Sequence, residues 1–464
     1  MLSVIFSKIQ GMKKIILAAL LLSSYLTVPA QQEDSLAIRR IADDILKNGK
    51  AYDNLFYLCK KIGARLSGSA NAQKAVDATM RMLKEAGADT VYLQPCLVPH
   101  WVRGLKEQGI IQWGKNKKSL HVCALGMSVG TPAHGIKAEV IEVANFDELK
   151  KLGADKIRGK IVFFNYPMRP ELVYSGYGDA VRYRGAGPVE ASKMGAVAVM
   201  IRSVTHALDN NPHTGATRYD STVKKIPAMA CSTMDAEWLH QLFQKEMKVE
   251  LFMKMNCEQL PDVQSYNVVG EIRGTEFPDQ IITVGGHLDS WDLAEGAHDD
   301  GAGAMQSIEV IRALKGSGIQ SKRTVRAVMF MNEENGLRGG TKYAELAAAN
   351  KENHIFAVES DAGGFGVVAL GIDGKTDQEI KIRSWLPFFR PYGVLEMPGG
   401  GGGADIGGLK KLGAVMCSVN PNSQRYFDHH HAPNDVFEAV NKRELEMGAL
   451  AMTAIIYLVG KYGL

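Results

Sequence analysis

The segment from Gly285 to Gly303 reads GGHLDSWDLAEGAHDDGAG and combines two histidines, four aspartates and one glutamate within nineteen residues. The residues directly before it, IITV, are apolar and typical of a buried strand. Carboxylates packed at the end of such a strand would repel one another or take up protons. The segment therefore indicates a site whose negative charge is balanced by a cation or by groups from elsewhere in the chain.

Acidic or histidine residues also follow three other apolar runs. TVRAVMFM leads into NEENG, HIFAVES leads into DAGG, and GAVMCSV leads through a short loop into DHHHAPND. In open α/β sheets, sites form just outside the carboxyl ends of the strands, so these side chains should meet at one edge. HDDGAG adds two aspartates at the start of a helix. The full set of candidate residues is His287, Asp299, Asp300, Asn332, Glu333, Glu334, Asp361 and His431.

A mixed set of histidines and carboxylates suits zinc, whereas oxygen ligands alone would suit calcium or magnesium. The set contains no cysteine, which favours a catalytic site over a structural one. Each zinc needs about three protein ligands and an open position for water. Two zinc ions would then share one carboxylate, and Asp299 is the natural bridge because it begins a helix. The five candidate ligands are His287, Asp299, Glu334, Asp361 and His431.

Five motifs, in order and spacing, resemble the M28 family of di-zinc exopeptidases, and most closely its secreted carboxypeptidase branch. They are GGHLDSWD, HDDGAG, NEENG, ESDAG and DHHHAPND. The resemblance covers nearly the whole chain after the N-terminal segment, including an inserted domain similar to the protease-associated domain. It implies a mixed, mostly parallel sheet flanked by helices, two zinc ions per chain, and short peptides or dipeptides as substrates.

The resemblance also implies roles for single residues. His287, Asp299 and Asp361 would hold one zinc, and Asp299, Glu334 and His431 the other. Glu333 would be the general base, and Asp289 would orient His287. We expect the adjacent glutamates to lie on an extended segment and to point in opposite directions, as one base and one ligand.

The last motif departs from the family pattern H-x-x-x-D-T, because Val436 stands in place of the threonine. This departure leaves His430 as an alternative ligand to His431.

Taken singly, each candidate has a structural explanation as a turn residue, a helix cap or part of a solvated loop. Together these explanations fail, because residues of that kind need not all follow apolar strands. The role of several neighbouring residues stays open: Asp292, Glu295, His298, Glu359 and Asp428.

Other functions remain as alternatives. A binding protein on the same scaffold would have lost metal ligands, which the complete set argues against. An aminopeptidase or a non-peptide amidohydrolase would use the same chemistry. The sequence has no GxSxG motif and Cys417 lies in an apolar run, so a serine or cysteine hydrolase is not favoured. A net charge of +4 without a Lys/Arg block does not favour nucleic-acid binding.

The N-terminus is typical of a secretory signal. Lys13 and Lys14 precede an apolar run from Ile15, and Val28-Pro29-Ala30 offers a cleavage site. We therefore expect residues 1–30 to be a signal peptide, the protein to be periplasmic or secreted, and no membrane span to remain; an uncleaved anchor is the alternative. Export permits disulfides, but the six cysteines reveal no pairing, so buried thiols and one disulfide are equally expected.

Patterning divides the rest of the chain into three parts. Residues 31–129 and 260–464 alternate strands and helices and should form the catalytic α/β domain. Residues 130–259 contain short β-like runs and should form an inserted lobe beside the catalytic edge. Its expected roles are to shape the cleft and to form a subunit interface, which would make the protein a homodimer.

A metal site at the edge of a sheet, covered by the inserted lobe, predicts a closed pocket that admits the end of a peptide chain. Excess acids near the metal ligands would anchor a free ammonium group; they are Asp289, Asp292, Asp300 and Glu359. The glycine run from Gly399 to Gly403, followed by Asp405, offers backbone N–H groups to a carboxylate. Which peptide terminus is recognised stays open at this stage.

Overall fold

The computed structural model describes residues 32–172, 174–245, 247–421 and 423–464. The predicted signal segment, residues 1–30, lies outside the described residues. The strands are β1 (Thr90–Val102), β2 (Gln108–Trp113), β3 (Asn116–Ser119), β4 (Val122–Ala124), β5 (Ile136–Val143), β6 (Ile161–Phe164), β7 (Ala198–Arg202), β8 (Ala228–Cys231), β9 (Glu250–Lys254), β10 (Glu258–Ile272), β11 (Phe277–His287), β12 (Arg323–Phe330), β13 (Asn353–Glu359), β14 (Val367–Asp373) and β15 (Val415–Pro421).

Helices separate most of these strands. They are α1 (32–48), α2 (Ala51–Tyr57), α3 (Ala70–Glu85), α4 (Phe146–Ile157), α5 (Tyr174–Lys193), α6 (Thr233–Gln244), α7 (Ala302–Gly316), α8 (Arg338–Ala349), α9 (Thr376–Arg383), α10 (Leu386–Phe389), α11 (Gly407–Lys410), α12 (Ser423–Phe427) and α13 (Lys442–Tyr462).

The main sheet has the strand order β1-β10-β12-β11-β13-β15-β14 among the described residues. Its four central strands, β12, β11, β13 and β15, are parallel, whereas the pairs at both edges are antiparallel. The expected mixed α/β class is confirmed. The edge strand β14 was not predicted from the sequence.

Helices cover both faces of the main sheet because successive strand residues point to opposite sides. Ala327 packs into the core shared with α3, α7 and α13, whereas its neighbour Val328 packs against α8 and α11. Helix α13 is long and apolar enough to cross a membrane, but 78% of its apolar window is buried inside the protein. Its apolar character is therefore explained by burial in this core.

A second sheet has the order β3-β2-β9-β5-β6-β7-β8-β4 among the described residues. It begins at Gln108, before the position 130 expected for the lobe, because β2, β3 and β4 also pair into it. The domain boundaries themselves stay a prediction. Below, "the lobe" means residues 108–254.

The lobe is joined to the main sheet by an antiparallel ribbon. Strand β1 runs out of the main sheet, and β10 returns to it, paired from Thr90↔Glu271 to Val102↔Glu258. All six cysteines are buried and unpaired, so of the two equal expectations the free thiols are found.

Candidate metal centre

The five predicted ligands lie at one edge of the main sheet. His287 is the last residue of β11, Glu334 follows β12, Asp361 follows β13 and His431 follows β15. Because these strands are parallel neighbours, their carboxyl ends meet at the same edge. Asp299 reaches the same place from the segment that precedes α7.

The side chains form two groups that share Asp299. His287 Nε2 lies 3.2 Å from Asp299 Oδ1 and 3.5 Å from Asp361 Oδ1. His431 Nε2 lies 3.2 Å from Asp299 Oδ2 and 3.1 Å from Glu334 Oε2. Asp299 thus turns one carboxylate oxygen toward each histidine, which is the arrangement that a bridging ligand requires.

The cluster has unused ligand atoms. Among the described residues, no hydrogen bond reaches Asp299 Oδ2, Glu334 Oε1 or Asp361 Oδ1, although all three atoms are buried. Buried carboxylate oxygens that lack a hydrogen bond are costly, and a bound cation would offset that cost. The donor set, imidazole nitrogen with carboxylate oxygen, therefore fits divalent metal ions of the zinc type.

The ionisation of the cluster points the same way. Burial raises the pKa of Glu334 to about 7. Burial lowers the pKa of His431, but the carboxylates of Glu334 and Asp299 outweigh it and raise the pKa to about 10. Without a metal, Glu334 and His431 therefore hold protons more readily than usual, as expected of a carboxylate cluster that needs positive charge nearby.

His430, the alternative ligand, lies farther from the bridge. Its Nε2 is 3.9 Å from Asp299 Oδ2, compared with 3.2 Å for His431, and the two rings stack with centroids 3.5 Å apart. His430 still falls within a possible ligand group with Asp299 and His431. Distance favours His431 as the ligand.

Asp289 supports the site differently from the expectation. The ring of His287 contacts the backbone carbonyl of Asp289, with Nδ1 2.9 Å from the oxygen, whereas the carboxylate is 3.8 Å away. The carboxylate instead accepts hydrogen bonds from the N–H groups of Asn332 (2.7 Å) and Glu333 (3.1 Å). It therefore orients the segment that carries the two glutamates.

That segment is not extended, so this part of the sequence prediction is wrong. Residues 333–336 form a turn, and Asn332 before it has φ +72°. Asparagine tolerates this left-handed conformation better than most residues. Glu333 is half-buried at the turn, and its pKa is raised well above the usual value by burial and by the charges of Asp361 and Glu334.

Asp435 holds the segment that carries the bridge. Its carboxylate accepts hydrogen bonds from the N–H groups of His298 (2.7 Å) and Asp299 (3.1 Å). The aspartate of the DHHHAPND motif thus fixes the backbone of Asp299 directly.

The lobe supports His431. Thr214 N–H donates to the carbonyl of His431 (3.0 Å), and His431 Nδ1 lies 3.3 Å from the carbonyl of Thr214. Arg184 Nη1 lies 3.3 Å from the same carbonyl and 3.2 Å from His431 Nδ1. The guanidinium can only donate, so with Nε2 kept for a metal, Nδ1 would carry the ring proton and donate to Thr214 O, as Nη1 does.

A cavity of about 1640 Å³ lies between this edge and the lobe. The main-sheet side contributes Asp299, Glu333, Glu334, Asp361 and His431, and the lobe contributes, among others, Met127, Tyr177, Arg184 and Tyr219. The cavity exceeds the roughly 300–1000 Å³ of ordinary small-ligand sites. It has room for more than a dipeptide, so size alone does not restrict it to chain ends.

Neither of the anchors predicted from the sequence lines this cavity. Among its described lining residues there is none of the four acids and no residue of the glycine run. Asp292 is bound by Arg103 through both of its oxygens, and Glu359 accepts the N–H of Ile406 at 3.0 Å. Both carboxylates already serve the protein itself.

Arg184 is the lining residue that the sequence did not reveal. It is buried on α5, donates to Tyr177 Oη at 2.9 Å, and its Nε has no partner among the described residues. No motif surrounds it, since its position over the predicted ligands depends on contacts between the lobe and the main sheet.

Comparison with known proteins identifies the family. The pattern of peptidase family M28 matches residues 267–456. Carboxypeptidase Q from Xenopus laevis is 37% identical over 420 residues, which cover 90% of this chain and 88% of that protein. The chain belongs to peptidase family M28. It is therefore a metallopeptidase, that is, a hydrolase.

Solved structures agree with this assignment. A peptidase M28 precursor from Shewanella amazonensis is 30% identical, with a TM-score of 0.88, and the match covers 92% of this chain and 97% of that one. A zinc aminopeptidase from Bacillus subtilis is 21% identical with a TM-score of 0.64, covers 88% and 94%, and shows the shared fold alone. The M28 architecture thus extends over both sheets of the chain.

Proposed function

We propose that the protein is a secreted di-zinc exopeptidase that hydrolyses short peptides with free termini. The observation that carries the proposal is the position of Asp299, which turns one oxygen toward each of the two histidine groups. His287 and Asp361 would hold one zinc with it, and His431 and Glu334 the other. The complete ligand set argues against an inactive binding protein on this scaffold.

Zinc bound in this way supplies a water of lowered pKa and polarises the peptide carbonyl. The chain's own residues do the rest. Glu333 lies in the cavity wall beside the ligands, where it takes the proton of the attacking water and returns it to the leaving amine. The carboxylate of Asp289 accepts a hydrogen bond from the backbone N–H of Glu333 and so keeps Glu333 in place.

Arg184 favours the C-terminal carboxylate as the anchored end of the substrate. Its guanidinium lies in the wall of the cavity, where its positive charge would attract a carboxylate. The acids that were expected to hold an ammonium group do not line the cavity. Carboxypeptidase or dipeptidase action is therefore favoured over aminopeptidase action.

The proposal is tested with four substrates: a free dipeptide, its N-acetylated form, its C-amidated form, and a longer peptide blocked at both ends. We expect zinc-dependent cleavage that a chelator abolishes, with about two zinc ions per chain by elemental analysis. Amidation should cost much more activity than acetylation. Efficient cleavage of the doubly blocked peptide would show an endopeptidase and refute the proposal.

Arg184→Met tests the anchor, with Arg182→Met as its control. Arg182 lies on the same helix and lines the same cavity, but its side chain is 57% exposed. Arg184→Met should raise the KM of the free dipeptide by about tenfold or more, and change that of the amidated dipeptide little. Zinc content is measured in both variants, because Arg184 also approaches His431.

Secretion rests on the N-terminal pattern alone. Expression with the native N-terminus, followed by N-terminal sequencing of the exported protein, should show a start at Gln31. A protein retained in the cytoplasm with residues 1–30 intact would contradict this part of the proposal.

A further inference from the structure

Arg65 is a fully buried arginine, far from the metal ligands in sequence, that binds the loop between two of them. Its Nε donates to Leu288 O at 2.5 Å, its Nη1 to Glu295 O at 2.5 Å and its Nη2 to Gly296 O at 2.9 Å. These carbonyls belong to the loop 288–296, which joins His287 to the segment of Asp299. One planar guanidinium thus fixes both ends of this loop.

No carboxylate hydrogen-bonds Arg65 among the described residues, so it is not half of a buried ion pair. A buried guanidinium whose partners are backbone carbonyls is costly unless its fork fits them closely. Arg65 therefore acts on the segment of Asp299 through its contacts with the backbone carbonyls of Glu295 and Gly296.

Ser67, two residues later, holds the other loop of the site. Its hydroxyl donates to Asn335 Oδ1 at 2.8 Å and accepts from Asn332 Nδ2 at 2.7 Å. Asn332 and Asn335 flank the two glutamates that are proposed as base and ligand. The segment 65–67 thus contacts both loops, one through Arg65 and one through Ser67.

The segment is itself fixed by the start of α3. Asn71 Nδ2 donates to the carbonyls of Ile62 (2.8 Å) and Ala64 (3.0 Å), and Ser69 caps the helix by accepting the N–H of Ala72. Gly68 has φ +86°, and a Cβ there would lie 3.0 Å from the carbonyl of Pro99. The helix, the segment and the two loops are therefore linked by direct contacts.

We propose that residues 65–67 are positioning residues that set the spacing between the loop 288–296 and the turn 332–335. They thereby fix His287 and Asp299 relative to Glu333 and Glu334, without contacting substrate or metal. The proposal rests on the proposed function, since it assigns the two loops to one metal centre. The proposal assigns a structural role to the segment GARLSGS, residues 63–69, which contains no proposed catalytic residue.

The test compares Arg65→Met, Arg65→Lys and Ser67→Ala with the wild type, using Arg326→Met as control. Arg326 is also a buried arginine of the main sheet, but it pairs with Glu271 and Glu352 away from the metal centre. The readouts are zinc content, the absorption spectrum of the Co²⁺-substituted protein, kcat and KM for a dipeptide, and the unfolding temperature. The Co²⁺ spectrum reports ligand geometry independently of turnover.

We expect Arg65→Met and Ser67→Ala to lower kcat by about 10- to 100-fold, with KM nearly unchanged, and to alter the Co²⁺ spectrum. Arg65→Lys should restore little, because an ammonium cannot span three carbonyls. Arg326→Met should lower the unfolding temperature but leave kcat and the spectrum unchanged.

If Arg65→Met does not fold, Ser67→Ala decides, since it removes a single hydroxyl group. Variants of the segment with wild-type kcat and spectrum would overturn the proposal. A wild-type protein that neither binds zinc nor cleaves dipeptides would instead reject the proposed function, which keeps the two failures distinct.

Discussion

The two halves of the candidate metal centre, one around His287 and one around His431, are supported by different parts of the chain. The ring of His287 contacts the carbonyl of Asp289, two residues away, and Arg65 holds the same loop. The ring of His431 contacts the carbonyl of Thr214, which belongs to the lobe. One half is therefore built within the main α/β unit, whereas the other needs the lobe in place.

This difference gives the lobe a role beyond covering the cavity. In a histidine ligand, the group that hydrogen-bonds the nitrogen not bound to metal sets which ring nitrogen carries the proton and how the ring is oriented. A lobe that moves away from the main sheet would release His431 but leave His287 supported. The half that contains His431 should thus be the one that responds to mutations in the lobe.

Removal of the histidine ligands should have the largest effect. His287→Ala and His431→Ala should each lose about one zinc and at least about a thousandfold in kcat/KM, because metal stabilisation of the transition state is worth several kcal/mol. Elemental analysis and dipeptide assays measure both. Retention of two tightly bound zinc ions in either variant would contradict the ligand assignment.

Glu333→Gln should separate chemistry from metal binding. We expect about a hundredfold loss of kcat or more, with both metals retained, since the amide cannot take a proton from water. Glu258→Gln is the matched control, because Glu258 lines the same cavity but lies at the start of β10, outside the segments that carry the predicted ligands. Near wild-type turnover of Glu333→Gln would show that another group is the base.

Without metal, the protein should become less stable as the pH rises from about 4.5 to 7. Burial raises the pKa of both Glu334 and Asp435 to about 7, whereas unfolded carboxyl groups titrate near pH 4. In this window the two carboxyl groups bind more protons in the folded state than in the unfolded state, so their contribution favours unfolding as the pH rises, by on the order of a few kcal/mol.

His431 continues this trend at higher pH. Its pKa is raised to about 10, so its stabilising contribution is complete below about pH 6.5 and is lost as the pH approaches 10. Thermal unfolding of chelator-treated protein at pH 5 and 7.5 measures the effect, and added zinc should remove it. Equal stability of the metal-free protein at both pH values would contradict the prediction.

Thr205→Val should have the smallest effect and should act on the His431 half alone. The hydroxyl of this lobe residue donates to the carbonyl of Phe427 at 2.6 Å, at the start of the segment that carries His431. Its loss should cost about 1 to 2 kcal/mol of stability and weaken one zinc site a few-fold.

Thr79→Val is the control for Thr205→Val, since the Thr79 hydroxyl donates to carbonyls of its own helix, α3. Zinc titration by calorimetry distinguishes the two sites. Equal weakening of both sites by Thr205→Val would remove the distinction between the two halves.

The sequence predicts the central strands and the five ligand candidates because that information is local. Apolar runs mark β11, β12, β13 and β15, and the residues after each run follow from parallel strand order. The turn at Glu333 was missed because the left-handed conformation of Asn332 is set by its contacts with Ser67 and Asp289. These partners lie far away in sequence.

The supporting residues have no comparable local signal. Arg184 is one arginine within a helix, and Thr214 acts through its backbone carbonyl, which any residue possesses. Asp292 was expected to bind substrate, but its partner Arg103 lies 189 positions away in sequence. Such contacts depend on how distant parts of the chain pack together, and only the folded chain shows them.

The ribbon of β1 and β10 also bears on how the chain folds. Thr90–Val102 must find Glu258–Ile272 across the whole intervening lobe, and closing a long flexible loop costs entropy that grows with its length. A lobe that is already folded brings Val102 and Glu258 together and shortens the effective loop. Early collapse of the lobe would therefore lower the entropic barrier to adding β1 at the edge of the main sheet.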